Sequence, residues 1–153
     1  MKVFLDTNVL ASAAVTRGLC ADVLREVFAR DELVICEQGL SELGRVLRVK
    51  FGIQQELIED FISLLRQDTI LAVPGQQPNI RLRDRDDLGI LAAALAGGAD
   101  VLVTGDKELL DVARVESLKI LSPRQFWEEL KTSKPLRPGR DRSRPGKDLS
   151  DTT

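Results

Sequence analysis

Between residues 1 and 130, short apolar runs rich in branched side chains alternate with longer stretches whose apolar positions return every three or four residues. That alternation is the pattern of βαβ units, and it predicts an α/β fold built on a parallel sheet. Five runs read as strands: Lys2 to Leu5, Leu33 to Cys36, Thr69 to Val73, Val101 to Val103 and Leu118 to Leu121. Helical patterns cover Ala21 to Arg30, Ser41 to Val49, Gln54 to Arg66, Asp87 to Ala96, Lys107 to Ala113 and Pro123 to Leu130. The stretch from Asp87 to Ala96 is almost wholly apolar after its first residue, which predicts a helix buried against the sheet. Gly97 and Gly98 supply its end.

In an open parallel sheet the residues just past the carboxyl ends of the strands meet at one crevice. Past the first strand lie Asp6, Thr7 and Asn8; past the fourth lie Thr104, Gly105 and Asp106. Asp84, Asp86 and Asp87 open the buried helix, and Glu42 sits in the first turn predicted after the second strand. Each acid has a plain structural reading. Asp87, Asp106 and Asn8 suit helix caps or first turns, and Glu42 has Arg45 three residues on for a helix-surface ion pair. Asp6 has the weakest such reading, because an acid buried unpaired after an apolar strand is costly. Capping alone does not predict four acids at one sheet edge.

Composition narrows the chemistry further. The chain has no histidine and no tyrosine, so serine and cysteine triads, a histidine general base and histidine-ligated zinc are excluded. Carboxylates brought together repel one another and take up protons unless a cation sits among them. Their hard oxygens suit Mg²⁺ or Mn²⁺, one ion or two. A bound divalent ion makes water a usable nucleophile and offsets charge on a phosphodiester without any histidine. This is the chemistry of metal-dependent nucleases.

Four segments together resemble the PIN-domain ribonucleases, in particular the toxin components of bacterial toxin-antitoxin pairs. They are FLDTNVLASA at 4–13, LSELGRVLRVK at 40–50, DRDDLGILAAALAGGADVLVTGDKELL at 84–110 and ILSPRQFWEEL at 120–130. The resemblance implies a three-layer α/β/α sandwich with a five-stranded parallel sheet and Mg²⁺- or Mn²⁺-dependent cleavage of RNA. It also implies a cognate antitoxin protein as partner, often within dimeric assemblies. Residue by residue, it matches Asp6, Glu42, Asp87 and Asp106 to the family's acidic quartet. Asp86 competes for the third place, but Ile90 and Ala94 lie on the side of the helix that carries Asp87. Thr7, Asn8 and Thr104 are the polar neighbours that the resemblance implies for orienting the carboxylates or metal-bound water, with Glu108 as an outer acid.

Two rival readings remain. One is a non-catalytic module that keeps the fold and a structural ion. The other is an aspartate-nucleophile phosphatase of the haloacid dehalogenase type, disfavoured because Asn8 stands where that family has a second aspartate and because Asp86-Asp87 precede Thr104 and Lys107. No G-x-G-x-x-G follows the first strand, which disfavours a dinucleotide site.

Charge divides the chain at Leu130. Residues 1–130 carry 15 Lys and Arg against 21 Asp and Glu, whereas 131–153 carry seven against three. The first part reads as the nuclease-like domain, and the Pro- and Arg-rich second part as a disordered tail serving RNA attraction or solubility. An acidic domain gives RNA no long-range attraction, so local cations must position phosphates. Arg45, Arg48, Lys50, Arg81, Arg83 and Arg85 are the candidates. Aromatic residues make up 4%, too few for a stacking platform. No apolar run approaches the ~18 residues needed to cross a bilayer, and Cys20 and Cys36 lack metal-ligand spacing. Together these predict a cytoplasmic protein with reduced thiols.

Overall fold

The predicted strands pair side by side because each is a short, mainly apolar run, and the central ones need cover on both faces. The computed structural model describes residues 1–133 and contains β1 (Lys2–Leu5), α1 (Thr7–Val15), α2 (Leu19–Arg30), β2 (Glu32–Cys36), α3 (Glu37–Val49) and α4 (Gln55–Arg66). These are followed by β3 (Ile70–Ala72), α5 (Arg85–Ala96), β4 (Val101–Val103), α6 (Lys107–Val112), β5 (Arg114–Val115), β6 (Leu118–Leu121) and α7 (Pro123–Ser133). The predicted tail lies outside the described residues, except that α7 carries on through Ser133.

The sheet has six strands in the order β3-β2-β1-β4-β6-β5, not the five expected. Five run parallel, with Val3 opposite both Leu33 and Val101. The sixth, β5, pairs antiparallel to β6. At two residues β5 is too short to show any period, and its turn places Glu116 at φ +53.

Side chains alternate across the strands and build two cores. Val3, Leu5, Leu33, Ile35, Val101 and Val103 face a cluster with residues from α1, α2, α3, α4 and α7. Phe4, Val34, Cys36, Leu102 and Ile120 face the other cluster, with α5 and α6. The result is a sheet covered on both sides, the three-layer arrangement expected. Each wholly buried Leu or Phe, such as Phe4, Leu102 or Leu118, contributes about 1.5–3 kcal/mol of burial.

Helix α1 does not appear in the sequence pattern. It packs between α2 and α3 and buries Val9, Leu10 and Ala11 in succession, and Asn8 and Ser12 alone are too few polar residues outside the core to mark a 3.6-residue period. Helix α3 starts at Glu37 because the Cys36 thiol caps it, Sγ accepting from the Gly39 amide at 3.4 Å. Glu42 therefore lies in the second turn of that helix rather than the first. At the far end of α5, Gly97 is required by close packing: a Cβ there would stand 2.7 Å from Val34 Cγ1 and 2.9 Å from Ala72 Cβ.

Candidate active site

From β1 the chain builds outward through β2 to β3, then returns to add β4 on the other side of β1. Adjacent crossovers thus diverge between β1 and β4, and the crevice at the carboxyl ends of those two strands is where such sheets place ligands. Asp6 and Thr104 flank this point. The Asp6 amide donates to the Val103 carbonyl at 3.0 Å, extending the ladder by one bond.

Thr104 is fully buried and joins two acids. Its hydroxyl donates to Asp6 Oδ2 at 2.7 Å and accepts from the Asp106 amide at 3.0 Å. The other Asp6 oxygen, Oδ1, accepts from the Thr7 amide at 2.8 Å. Asp106 Oδ1 caps α6, taking the amides of Glu108 and Leu109 at 2.8 and 3.2 Å. Capping therefore engages one oxygen of each aspartate and does not compete with a role for the other.

The third acid comes from α5. Asp84 caps this helix by accepting from the Asp86 amide at 2.9 Å, which sets Asp87 in its first turn. Asp86 is exposed; Asp87 is half-buried, and its Oδ2 is buried with no hydrogen-bond partner. Ile90 and Ala94 on the same helix are buried as expected. Gly89 lets α5 approach α3, since a Cβ there would lie 2.8 Å from Gln38 Oε1.

Electrostatics tie these groups together. Burial pushes the Asp6 carboxyl above its usual range and Asp106 adds to the rise, while bonds from Thr104 and Thr7 oppose it. Burial also raises Glu42, helped by the charges of Asp6, Asp86 and Asp84 and opposed by Arg45. Asp87 is raised from 3.8 to about 7, first by burial and then by Asp106, Asp84, Asp6 and Glu108. The sequence attributes such shifts to repulsion; in the folded protein burial leads and repulsion follows. Asp84, which opens α5 as its cap, stands among the charges acting on both Glu42 and Asp87.

The remaining expected residues divide. Thr7 is buried and gives its hydroxyl to the Gly39 carbonyl at 3.4 Å, holding α1 to α3; only its amide serves Asp6. Asn8 is exposed, with no side-chain hydrogen bond among the described residues. Glu108 uses both carboxylate oxygens to accept the Arg83 amide, at 3.2 and 3.0 Å. Arg45 stands 3.8 Å from Glu42, the ion pair foreseen. Lys50 lies over the Phe51 ring, 5.7 Å from its centroid, and about 12 Å along the helix axis from Glu42. Arg85 is exposed at the start of α5, and Arg81 is exposed in the preceding loop.

Two open cavities border the acids. One of about 550 Å³ is lined by Gln38, Glu42, Arg45, Arg48, Gln55 and Asp86, among others, between α3 and α4. The other, of about 630 Å³, is lined by Arg83, Asp106, Lys107, Glu108 and Asp111.

Whether the acids suit a divalent ion turns on their donors and their surroundings. Their oxygens are hard ligands, their charges oppose one another, and the buried Asp87 Oδ2 lacks a donor. Among the described residues no three acidic or thiol side chains are drawn together as around one ion, while the charges of Asp6 and Asp106 both act on Asp87. The donor set fits the ion; the arrangement is an open one. Both cysteines are free, Cys36 buried and Cys20 partly so. Among the described residues no helix is long and apolar enough to cross a membrane.

Comparison with known proteins gives the same picture. No curated protein sequence matches the chain. Three solved structures share the fold. VapBC2 from Rickettsia felis, bound to a DNA fragment from its promoter, superposes with a TM-score of 0.58 at 16% identity, over 78% of this chain and 97% of that one. VapBC-1 from nontypeable Haemophilus influenzae gives 0.58 at 24% identity, over 81% and 99%. Mycobacterium tuberculosis VapC20, a toxin that cleaves the sarcin-ricin loop, gives 0.55 at 11% identity, over 76% and 98%. The PIN-domain family profile matches residues 2–108, most of the described sheet and both strands that carry the acids. The chain therefore belongs to the PIN-domain family.

Proposed function

We propose that this protein is a metal-dependent endoribonuclease and acts as the cytoplasmic toxin of a toxin-antitoxin pair. Asp6, Glu42, Asp87 and Asp106 hold one or two Mg²⁺ or Mn²⁺ ions, and RNA, a cognate antitoxin and a second copy of the chain are its partners. The observation that carries the reading is Asp87 Oδ2, a buried acceptor without a donor beside Asp6 and Asp106 at the switch point of the sheet. Buried polar oxygens are satisfied as a rule, and a cation supplies what this one lacks.

When bound, the ion supplies Lewis-acid activation of water and offsets charge on the phosphodiester. The chain's own residues do the positioning. Thr104 holds Asp6 to the start of the α6 segment, and the α6 amides fix Asp106 through Oδ1, orienting a carboxylate that would help to hold the ion. Burial and the neighbouring acids favour the protonated form of the Asp87 carboxyl, so a cation held there would have to compete with that proton. Glu42, half-buried on α3, would be the fourth acid to hold the ion; it senses the charge of Asp6 and pairs with Arg45. Arg45, Arg48, Arg83 and Arg85 are exposed and serve substrate phosphates, as Lys50 does only by way of the outer end of α3.

The open arrangement of the acids keeps one alternative in play, a binding module that holds the fold and does not cut. Purified protein incubated with structured and unstructured RNAs in Mg²⁺, in Mn²⁺ and in EDTA separates the two. The nuclease cuts at least one RNA with either metal, is silent in EDTA, and is silent as Asp6→Asn. A module without catalysis leaves every RNA intact in all three.

A further inference from the structure

The two edges of the sheet differ in chemistry. An open strand edge invites pairing with other chains, and proteins commonly blunt it with charge. At β5 the exposed Arg114 and Glu116 do this. At β3 nothing does: Thr69 to Val73 carry no charge, β2 pairs on one side, and among the described residues no backbone bonds to the other. Ile70 and Ala72 turn to the α5 side, so Leu71 turns to the face on which α4 packs. Leu71 is 46% exposed and Val73, just past the strand, 77%. Helix α4 extends this apolar strip. Ile58 and Leu65 reach the core, while Leu57, Phe61 and Leu64 repeat beside them at i, i+4 and i+7. Phe61 is partly buried, but Leu57 and Leu64 are 57% and 49% exposed. Exposed acids rim the strip. Asp60 neighbours both leucines, Glu56 stands one turn earlier, and Asp68 lies between α4 and β3. None of the three has an ion pair among the described residues, and the one cation of α4, Arg66, is held by Glu37 at 2.8 and 2.9 Å.

We propose that β3 and the outer flank of α4 dock an extended, basic segment of a partner protein, which adds beside β3 as a seventh strand. Its alternate apolar residues rest on Leu71, Val73 and Leu64, and its Lys or Arg residues meet Asp60 and Asp68. Chemistry selects this occupant. A free strand edge is satisfied by another extended backbone and not by a helix. The acidic rim turns away RNA, and a second copy of the chain would set the same acids against themselves. Residues 134–153 carry six Lys and Arg, but their three prolines and only two large apolar residues, Leu136 and Leu149, do not suit them to this strip. Because β2 separates β3 from β1 and β4, the surface stands apart from the acidic crevice, whatever the chemistry there.

A random library of displayed peptides about ten residues long, the upper length of ordinary strands, provides the test. It is depleted on Leu71→Lys and then selected on the wild-type full chain. Enriched sequences should alternate apolar residues with Lys or Arg. A fluorescein-labelled peptide of the enriched sequence is then followed by anisotropy. Val73→Lys and Leu57→Ala/Leu64→Ala should each weaken its binding about tenfold, and Asp60→Asn/Asp68→Asn about threefold with a flatter salt dependence. All these positions are exposed, and circular dichroism checks each fold. Methylating every second main-chain nitrogen of the peptide should abolish binding in one register and spare it in the other, since a paired strand turns alternate amides toward its neighbour. The proposal is overturned if no basic alternating sequence is enriched, if Val73→Lys and Leu57→Ala/Leu64→Ala bind the peptide as the wild type does, or if both methylation registers act alike. A wild-type dimer that Leu71→Lys dissociates in sedimentation overturns it in favour of a second copy. A chain ended after Ser133 that binds the peptide about tenfold tighter overturns it in favour of residues 134–153.

Discussion

Replacing Asp87 with asparagine should make the metal-free protein more stable at pH 8 and leave it unchanged at pH 4. The carboxyl rises from 3.8 to about 7 on folding, through burial first and the charges of Asp106, Asp84, Asp6 and Glu108 after it. A folded-state pKa above the unfolded one means that the native protein holds the proton more tightly. The penalty is therefore absent below about pH 4, grows as pH rises, and is complete above about pH 7. Taken at face value the shift corresponds to about 4 kcal/mol. The side chain is only half-buried, and solvent screening reduces this to about 1–2 kcal/mol. Loss of a negative charge from the first turn of α5 returns part of the gain. The net effect is a melting temperature about 3–6 °C higher at pH 8 in EDTA, with the volume of the side chain kept. Mg²⁺ should then reverse the order, stabilising the wild type by about 2.7 kcal/mol at a hundredfold excess over its dissociation constant and the variant far less. Thermal melts by circular dichroism at several pH values, with EDTA and with Mg²⁺, supply the comparison. A variant less stable than wild type at pH 8 in EDTA, or a gap as large at pH 4 as at pH 8, would refute the reasoning.

Other positions give independent tests. Thr104→Val keeps the volume but removes the bridge between Asp6 and Asp106 and strands a buried amide; denaturant titration should register a loss of about 1–3 kcal/mol, and Mn²⁺ affinity should fall about 10–100-fold. Gly97→Ala should cost about 1–3 kcal/mol by overpacking against Val34 and Ala72, seen as a lower urea midpoint with an unchanged slope. Ending the chain after Ser133 removes six Lys and Arg against three Asp, so RNA binding should weaken and lose salt dependence while the melting temperature stays the same.

Much of this architecture is legible in the residues, and what is hidden has physical causes. The five parallel strands show because their runs are short and mainly apolar, with most of their residues buried. Helix α1 is hidden because, packed between two others, it keeps only Asn8 and Ser12 as polar residues outside the core. Strand β5 is hidden because two residues have no period. In the site, Asp6 and Asp106 can be found from the rule that strand ends converge, and Asp87 can be told from Asp86 by the burial of Ile90 and Ala94. The strength of the Asp87 shift cannot be found that way: it depends on how far one oxygen sinks beneath the surface, which no spacing encodes. The same holds for Thr104, whose hydroxyl serves two acids only after β1 and β4 have paired. Thr7 reaches Asp6 through its amide while its hydroxyl turns to Gly39, and Asn8 lies in solvent, placements that only packing decides.

The central claim is that these separately anchored acids act as one metal centre, and titration with Mn²⁺ followed by electron paramagnetic resonance tests it most directly. The account predicts saturable binding of one or two ions by the wild type, with loss of that binding in Asp6→Asn, Asp87→Asn and Asp106→Asn and little change in Asp86→Asn. Binding that survives all three substitutions, or a wild type that takes up no Mn²⁺, would contradict it.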